Sequence, residues 1–152
     1  MRFRSTKTYG HEQGLSACFR QHAATSSHCS FLHGYALSVR LEFGADKLDH
    51  RNWVVDFGGL KPVKRWLQDM FDHKTIVAAD DPELQAISRL AKLGVIDIRV
   101  VPRVGCEAFA EMIYKRVAEW LEGQDAYANR VALISVEVRE HAGNSAICYG
   151  VD

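Results

Sequence analysis

The chain has 152 residues, 47% hydrophobic and 25% charged, the composition of an ordinary globular protein and a length suited to one domain with a sizeable core. Nineteen basic and nineteen acidic residues cancel, which removes the global charge that would attract nucleic acid or an anionic membrane. No basic run replaces it, since Lys61, Lys64 and Arg65 fall at helical spacing and read as a solvated helix face.

Residues 3 to 9 and 14 to 20 carry weak strand patterns. From 33 to 43 the alternation is clean. His33, Tyr35, Leu37, Val39, Leu41 and Phe43 share one parity, and Ser38, Arg40 and Glu42 take the other. Period two predicts a half-buried strand with His33 and Tyr35 at its entrance, on the apolar face. After the polar turn 46–52, Trp53-Val54-Val55 is a short extended piece ending at Asp56. Leu60, Val63, Trp66, Leu67 and Met70 then recur at helical spacing, with Pro62 tolerable in the first turn. That helix ends near Phe71, which places Asp72 and His73 at its exit. Asp81-Pro82-Glu83 opens a second helix to about Leu93, closed by Gly94. Residues 95–101 form a β-branched strand stopped by Pro102. A third helix spans about 107–121, with Phe109, Met112, Ile113, Val117 and Trp120 on one side. A hairpin closes the order, 131–140 and 145–151 around His141-Ala142-Gly143-Asn144.

No repeat, low-complexity tract or linker interrupts this order, so 1–152 reads as a single domain. Strands first, helices in the middle and a final hairpin predict an α+β fold with an antiparallel sheet. No apolar run approaches membrane length, and Met1-Arg2-Phe3-Arg4-Ser5-Thr6-Lys7 lacks the apolar core of a signal peptide. The cytoplasm is the expected compartment. Cys18, Cys29, Cys106 and Cys148 show no C-x-x-C spacing and are expected as free thiols there.

Several residues could carry chemistry, and each has a plain structural alternative. Cys29 is compatible with a small buried hydrophobe, or with a thiolate favoured by His28 and His33. His33 could be a core histidine or a ligand beside the permissive Gly34. Asp72 could be a surface carboxylate and His73 a cation at a helix C-terminus. Alternatively, Asp72 orients His73 for proton transfer. Glu107 opens the third helix, where a carboxylate is favoured anyway. Glu140 ends the apolar stripe Ile134, Val136, Val138, so it needs a partner. Arg139 is one candidate, and the paired N–H donors of a 2-amino-4-oxo pyrimidine edge are another.

Four segments in this order resemble the 6-pyruvoyl-tetrahydropterin synthase / 6-carboxytetrahydropterin synthase family, from about Cys18 to the end of the chain. They are Cys29-Ser30-Phe31-Leu32-His33-Gly34-Tyr35, Val54-Val55-Asp56-Phe57-Gly58-Gly59-Leu60-Lys61, Asp72-His73, and Glu140 in Val138-Arg139-Glu140. Family members read Cys-x-x-x-His-Gly-His, so Tyr35 stands where a zinc-binding His is expected. Counted back without gaps from Cys29, the family's remaining His ligand, at the end of the first strand, falls on Cys18. A Pro-Thr-x-Glu-like stretch is represented by Val104-Gly105-Cys106-Glu107, in which only Glu107 matches. Residues 79–94 are an insertion before the third helix.

The resemblance implies the tunnelling fold, with helices on one face of an antiparallel sheet. Subunits of that fold join sheets into an oligomeric barrel, with active sites at their interfaces, which implies a homo-oligomer (trimer or hexamer). It implies Cys29, Asp72 and His73 as catalytic residues and Glu140 and Glu107 as substrate-binding residues. It implies a zinc ion on His33, with Cys18 and Tyr35 at the other ligand positions and His22 or His28 as substitutes. The implied activity is a lyase acting on a pterin triphosphate, 7,8-dihydroneopterin triphosphate. Zinc polarises its side-chain hydroxyls, Cys29 and Asp72–His73 move protons, and triphosphate leaves. The product is then 6-carboxytetrahydropterin, on the route to deazaguanine nucleosides such as queuosine. A 6-pyruvoyl-tetrahydropterin product is the nearest alternative. A metal-free pterin- or purine-binding relative is a second reading, prompted by Tyr35. An enzyme on another pterin with a Cys/His zinc shell is a third.

Overall fold

A computed structural model describes residues 1–150. Its organising element is β3 (His33–Ala45), a 13-residue strand longer than any of its partners. Two strands share one of its edges. β1 (Phe3–Tyr9) runs antiparallel along the far half, from Phe3 opposite Ala45 to Tyr9 opposite Val39. β2 (Leu15–Phe19) covers the near half, from Leu15 opposite Leu37 to Phe19 opposite His33. The other edge takes β6 (Val131–His141), from Ala45 opposite Val131 to Ser38 opposite Arg139, and β7 (Asn144–Tyr149) follows as its hairpin partner. The hairpin turn is Ala142-Gly143. Val151, the last residue expected in this strand, lies outside the described residues.

Helix α1 (Lys61–Phe71) buries Val63, Leu67 and Phe71 at the expected spacing and accommodates Pro62 in its first turn. After it comes a strand absent from the sequence-based expectation, β4 (Lys74–Ala78), which pairs in parallel with β2. Thr75, Ile76, Val77 and Ala78 are all buried. A strand covered on both faces reads as an apolar run with no alternation, so periodicity gives it no signature. Helix α2 (Leu84–Lys92) then returns the chain to β5 (Asp97–Val101), parallel to β4, with Gly94 at φ +74° releasing the helix. The inserted segment is therefore the helix of a β–α–β crossover.

The sheet is accordingly mixed, in the order β5-β4-β2-β3-β6-β7 with β1 on β3. Its antiparallel part, β1-β3-β6-β7, is as expected, and the parallel pairings are confined to the β2 side. Helix α3 (Cys106–Glu122) lies along β6 and β7 with Phe109, Ala110, Ile113, Val117 and Leu121 buried. The core forms where these helices meet Val39, Leu41, Phe43, Val136 and Val138, all fully buried. An aromatic chain runs through it toward the mouth of β3. Phe71 meets Phe109 at 5.3 Å and Phe109 meets Phe19 at 5.1 Å between ring centroids, both edge-on.

Candidate active site

Register decides which residues can meet at the mouth of β3. Residues directly opposite in an antiparallel pair point to the same face. Leu15, Ala17 and Phe19 of β2 are buried, so this face is the core face, and their partners Leu37, Tyr35 and His33 share it. Phe19, His33 and Tyr35 form a triangle of rings, with centroids 6.0 Å apart from Phe19 to each of the others and 5.2 Å from His33 to Tyr35. Nδ1 of His33 bonds the Phe31 carbonyl at 2.6 Å, which leaves Nε2 facing outward.

Cys29 reaches this side on a loop that is pinned at several points. A single 3-10 turn, His28–Ser30, is capped by Ser27, whose hydroxyl accepts the Cys29 N–H at 3.1 Å. The Gln21 N–H donates to the Cys29 carbonyl at 2.8 Å, and the Gln21 side chain donates to the Val104 carbonyl at 2.9 Å. Arg20 adds a fork. Its Nε and Nη2 donate to the two oxygens of Asp81 at 2.8 and 2.6 Å, and Nη1 donates to the Ser30 carbonyl at 3.1 Å. Asp81 is buried, and its second role is to accept the Glu83 N–H at 2.9 Å. The Arg20 guanidinium holds the Asp81 carboxyl below its usual range, against the opposing effect of burial. The inserted crossover therefore anchors the Cys29 loop, a link that residue pattern does not mark.

Glu140 approaches from β6, and α3 contributes Cys106. Burial pushes the Tyr35 hydroxyl above its ordinary value, reinforced by the charges of Glu140, Cys29 and Cys106. Burial, with Glu140 and Glu107 nearby, pushes the Cys106 thiol up to about 12. Tyr35, Cys29, Cys106 and Glu140 are thus neighbours near the mouth of β3. Arg139 does not neutralise Glu140. It bonds Glu137 at 2.7 Å and the Ala142 carbonyl at 3.1 Å instead. Glu107 is exposed beside Gly105, which adopts φ +113° where the Gln21 amide crowds its α-carbon. A side chain there would collide with Nε2 of Gln21.

The other two catalytic candidates stand together, but elsewhere. Asp72 Oδ1 accepts from His73 Nδ1 at 2.8 Å and from the Ser16 N–H at 3.2 Å. His73 takes a left-handed φ of +58° and donates its N–H to the Ser16 carbonyl at 2.6 Å, so its ring stands 84% exposed. Its surroundings are a groove of about 430 Å³ shared with Cys18, Gly34 and Thr75. Ser16 and Cys18 have the opposite parity to Phe19. The Asp72–His73 pair therefore opens on the reverse face of β2 from His33 and Tyr35.

This placement corrects the expected zinc shell. Cys18 pairs with Gly34 and points away from His33, while the β2 residue that faces His33 is Phe19. Counting without gaps across the 20–32 loop slipped by one residue. The Leu15-x-Ala17-x-Phe19 alternation was the signal that could have found the right one. The substitutes do not repair the set: His22 bonds Asp80 at 3.2 Å, and His28 is exposed on the loop. Among the described residues no three His, Cys, Asp or Glu side chains are grouped to hold a metal ion. A benzene ring offers no donor, so Phe19, His33 and Tyr35 do not fit the three-ligand requirement of catalytic zinc.

A mixed sheet of this topology, with helices packed against it and a thiol, an imidazole and a carboxylate at the mouth of its long strand, defines an α+β protein of the tunnelling-fold class. The family model for 6-pyruvoyl tetrahydropterin synthase matches residues 9–151, and the chain belongs to that family. A 6-carboxy-5,6,7,8-tetrahydropterin synthase of Rickettsia felis is 40% identical over 57 residues, 37% of this chain and 41% of that protein. The chain thus spans about two fifths of the length of that relative. The Aquifex aeolicus protein of the same name is 27% identical over 122 residues, 78% of this chain and 74% of its own. Among solved structures, an uncharacterized protein of Wolinella succinogenes superposes with TM-score 0.80 over 98% of each chain at 19% identity. A Plasmodium falciparum 6-pyruvoyl tetrahydropterin synthase gives TM-score 0.66 at 16% identity, over 97% of this chain and 98% of its own. These superpositions establish the shared fold.

Proposed function

We propose that the chain is a cytoplasmic pterin synthase-like lyase acting on 7,8-dihydroneopterin triphosphate, with 6-carboxytetrahydropterin for the queuosine and deazaguanine route as its product. The observation that carries this reading is the strand register, which sets Tyr35 beside His33 on the core face and brings Glu140 of β6 to the same end of β3, where the charges of Glu140 and Cys29 both act on the Tyr35 hydroxyl. Glu140 accepts two hydrogen bonds from the 2-amino and ring N–H donors of the pterin, as a carboxylate accepts a guanidinium. Glu107, at the start of α3, lines the same side. Cys29 exchanges a proton with the substrate side chain, His73 exchanges another with Asp72 fixing its tautomer, and triphosphate departs to leave a three-carbon side chain at the pyruvoyl level. The 6-carboxy product then requires the C1′–C2′ bond to break, with water supplying the carboxyl oxygen and the two-carbon remainder leaving as acetaldehyde.

His73 and Cys29 lie on opposite sides of the sheet within one chain, so the reading requires a homo-oligomer. In it, His73 of one copy serves Cys29 of another. The open edges support this. β1 and β7 terminate the antiparallel part of the sheet, and Ile147 and Tyr149 stand exposed on β7. Among the described residues no helix is long and apolar enough to cross a membrane. Zinc assistance of the kind the resemblance implies would need ligands beyond those that face His33 in the protomer. The 6-pyruvoyl product is the second reading, favoured by the matching family description.

Incubation of purified protein with dihydroneopterin triphosphate, followed by chromatography and mass spectrometry, tests the proposal. A 6-carboxy product that disappears with Cys29→Ala is expected, and a 6-pyruvoyl product would select the second reading. No consumption of substrate, with and without added zinc, would refute both.

A further inference from the structure

The three strand positions that face one another at the mouth of β3 carry Phe19, His33 and Tyr35. Phe19 is 2% exposed and seated on Phe109, so it is a fixed wall rather than a side chain waiting for a ligand. His33 keeps one nitrogen on the Phe31 carbonyl and can offer only Nε2. Tyr35 brings a phenol with Glu140 as its neighbour. One imidazole nitrogen and one phenol are two donors, of which the second is a rare metal ligand, and catalytic zinc takes about three protein ligands. The same triangle is well suited to another task. It presents ring faces and edges at centroid spacings of 5.2 to 6.0 Å, together with a free imidazole nitrogen on His33 and the Tyr35 hydroxyl beside Glu140.

We infer that this site holds its ligand on an aromatic floor of His33 and Tyr35, backed by the buried Phe19, in the place of a metal ion. The floor takes a flat heteroaromatic ring or its short polar side chain by ring contact, with His33 Nε2 and the Tyr35 hydroxyl as hydrogen-bonding groups. This rests on the proposed reading that the Cys29–Glu140 pocket binds a pterin. It also makes Tyr35 a ligand-contacting residue whose Phe variant loses affinity without any change in metal content.

Full-length protein purified without added metal or chelator is tested first by elemental mass spectrometry and by cobalt titration followed in the visible spectrum. The wild type is expected to hold no stoichiometric zinc and to give no tetrahedral cobalt bands. Neopterin, monitored by fluorescence, is expected to bind equally well with and without EDTA. The double variant Phe19→His/Tyr35→His completes a three-histidine face with His33. It is expected to take up one cobalt per chain, lost again on His33→Ala. One zinc per chain in the wild type that disappears with His33→Ala would overturn the inference. A folded double variant that binds no cobalt would also overturn it, because the three positions would then not enclose a metal-sized space. The wild-type measurement decides even if the double variant fails to fold. Absence of neopterin binding in a zinc-free wild type would instead sink the pterin reading and leave the metal-free character of the site intact.

Discussion

The two faces of β2 make an instructive contrast. On one, Phe19 closes an aromatic chain from the core and backs His33 and Tyr35, with Cys29 and Glu140 around Tyr35. On the other, Ser16 and Cys18 border a solvent groove with Asp72–His73. The first face is half-buried and rich in rings. The second carries an exposed imidazole on a left-handed residue held by backbone bonds to Ser16. Motifs that stand in family order along the chain are thus divided by the thickness of the sheet. On the proposed reading, a complete set of proton-transfer groups would exist only where one copy's second face meets another's first. Ring-closing oligomers built from heterologous edges supply such a meeting.

The contrast can be broken most sharply at the thiol. Cys29→Ala is expected to lower turnover of dihydroneopterin triphosphate by about 10²–10⁴, the range for removing a proton-transfer group, and to leave the thermal midpoint nearly unchanged. Steady-state kinetics alongside calorimetry checks both halves. Next comes the anchor of the Cys29 loop. Arg20→Ala leaves the buried Asp81 carboxylate without its fork, and a loss of about 3–5 kcal/mol in unfolding free energy is expected from denaturant titration.

The same pair sets a pH signature. The Asp81 carboxyl is depressed in the folded state, so its stabilisation is fully present above the unfolded value near about 3.9. It is lost as pH falls through the lower folded value. Urea midpoints measured between pH 7 and pH 3 should therefore drop more steeply at the acid end for wild type than for Arg20→Ala. Parallel curves would remove Asp81 as the cause.

Glu140→Gln sharpens the first face. It replaces a charge-assisted acceptor by a neutral one, and neopterin affinity is expected to weaken by about 10–100-fold, corresponding to about 1.5–3 kcal/mol. An unchanged dissociation constant would show that the ring is anchored elsewhere. The smallest effect concerns Cys106. A buried thiol pushed up to about 12 stays protonated near neutrality. It should resist iodoacetamide at pH 8, where mass spectrometry finds the half-exposed Cys29 modified.

Much of this architecture could be read from amphipathic pattern. The alternation from 33 to 43, the helical spacing of Leu60, Val63 and Leu67, and the closing hairpin all fall where periodicity placed them, because each buries one face only. β4 could not be read that way. Its Ile76, Val77 and Ala78 are covered on both sides, so no polar residues mark a period. At the candidate site, motif order singles out Cys29, His33, Tyr35 and Glu140, and strand parity puts His33, Tyr35 and Glu140 on one face. The β2 partner was misplaced because the 20–28 loop separates Cys29 from β2. Strand register is a spatial fact that residue counting across a loop does not preserve. The Arg20–Asp81 fork joins residues 61 positions apart, and nothing local distinguishes that arginine or that aspartate from a solvated one.

The central claim, that the proton-transfer groups are shared between copies, is tested most directly by subunit complementation. Cys29→Ala and His73→Ala proteins, each inactive alone, are co-expressed with different tags, and doubly purified mixed oligomers are assayed for turnover of dihydroneopterin triphosphate. The account predicts that activity returns in the mixed species, because some interfaces then join an intact Cys29 from one copy to an intact His73 from another. Mixed oligomers, verified by native mass spectrometry, that remain as inactive as either parent would contradict it.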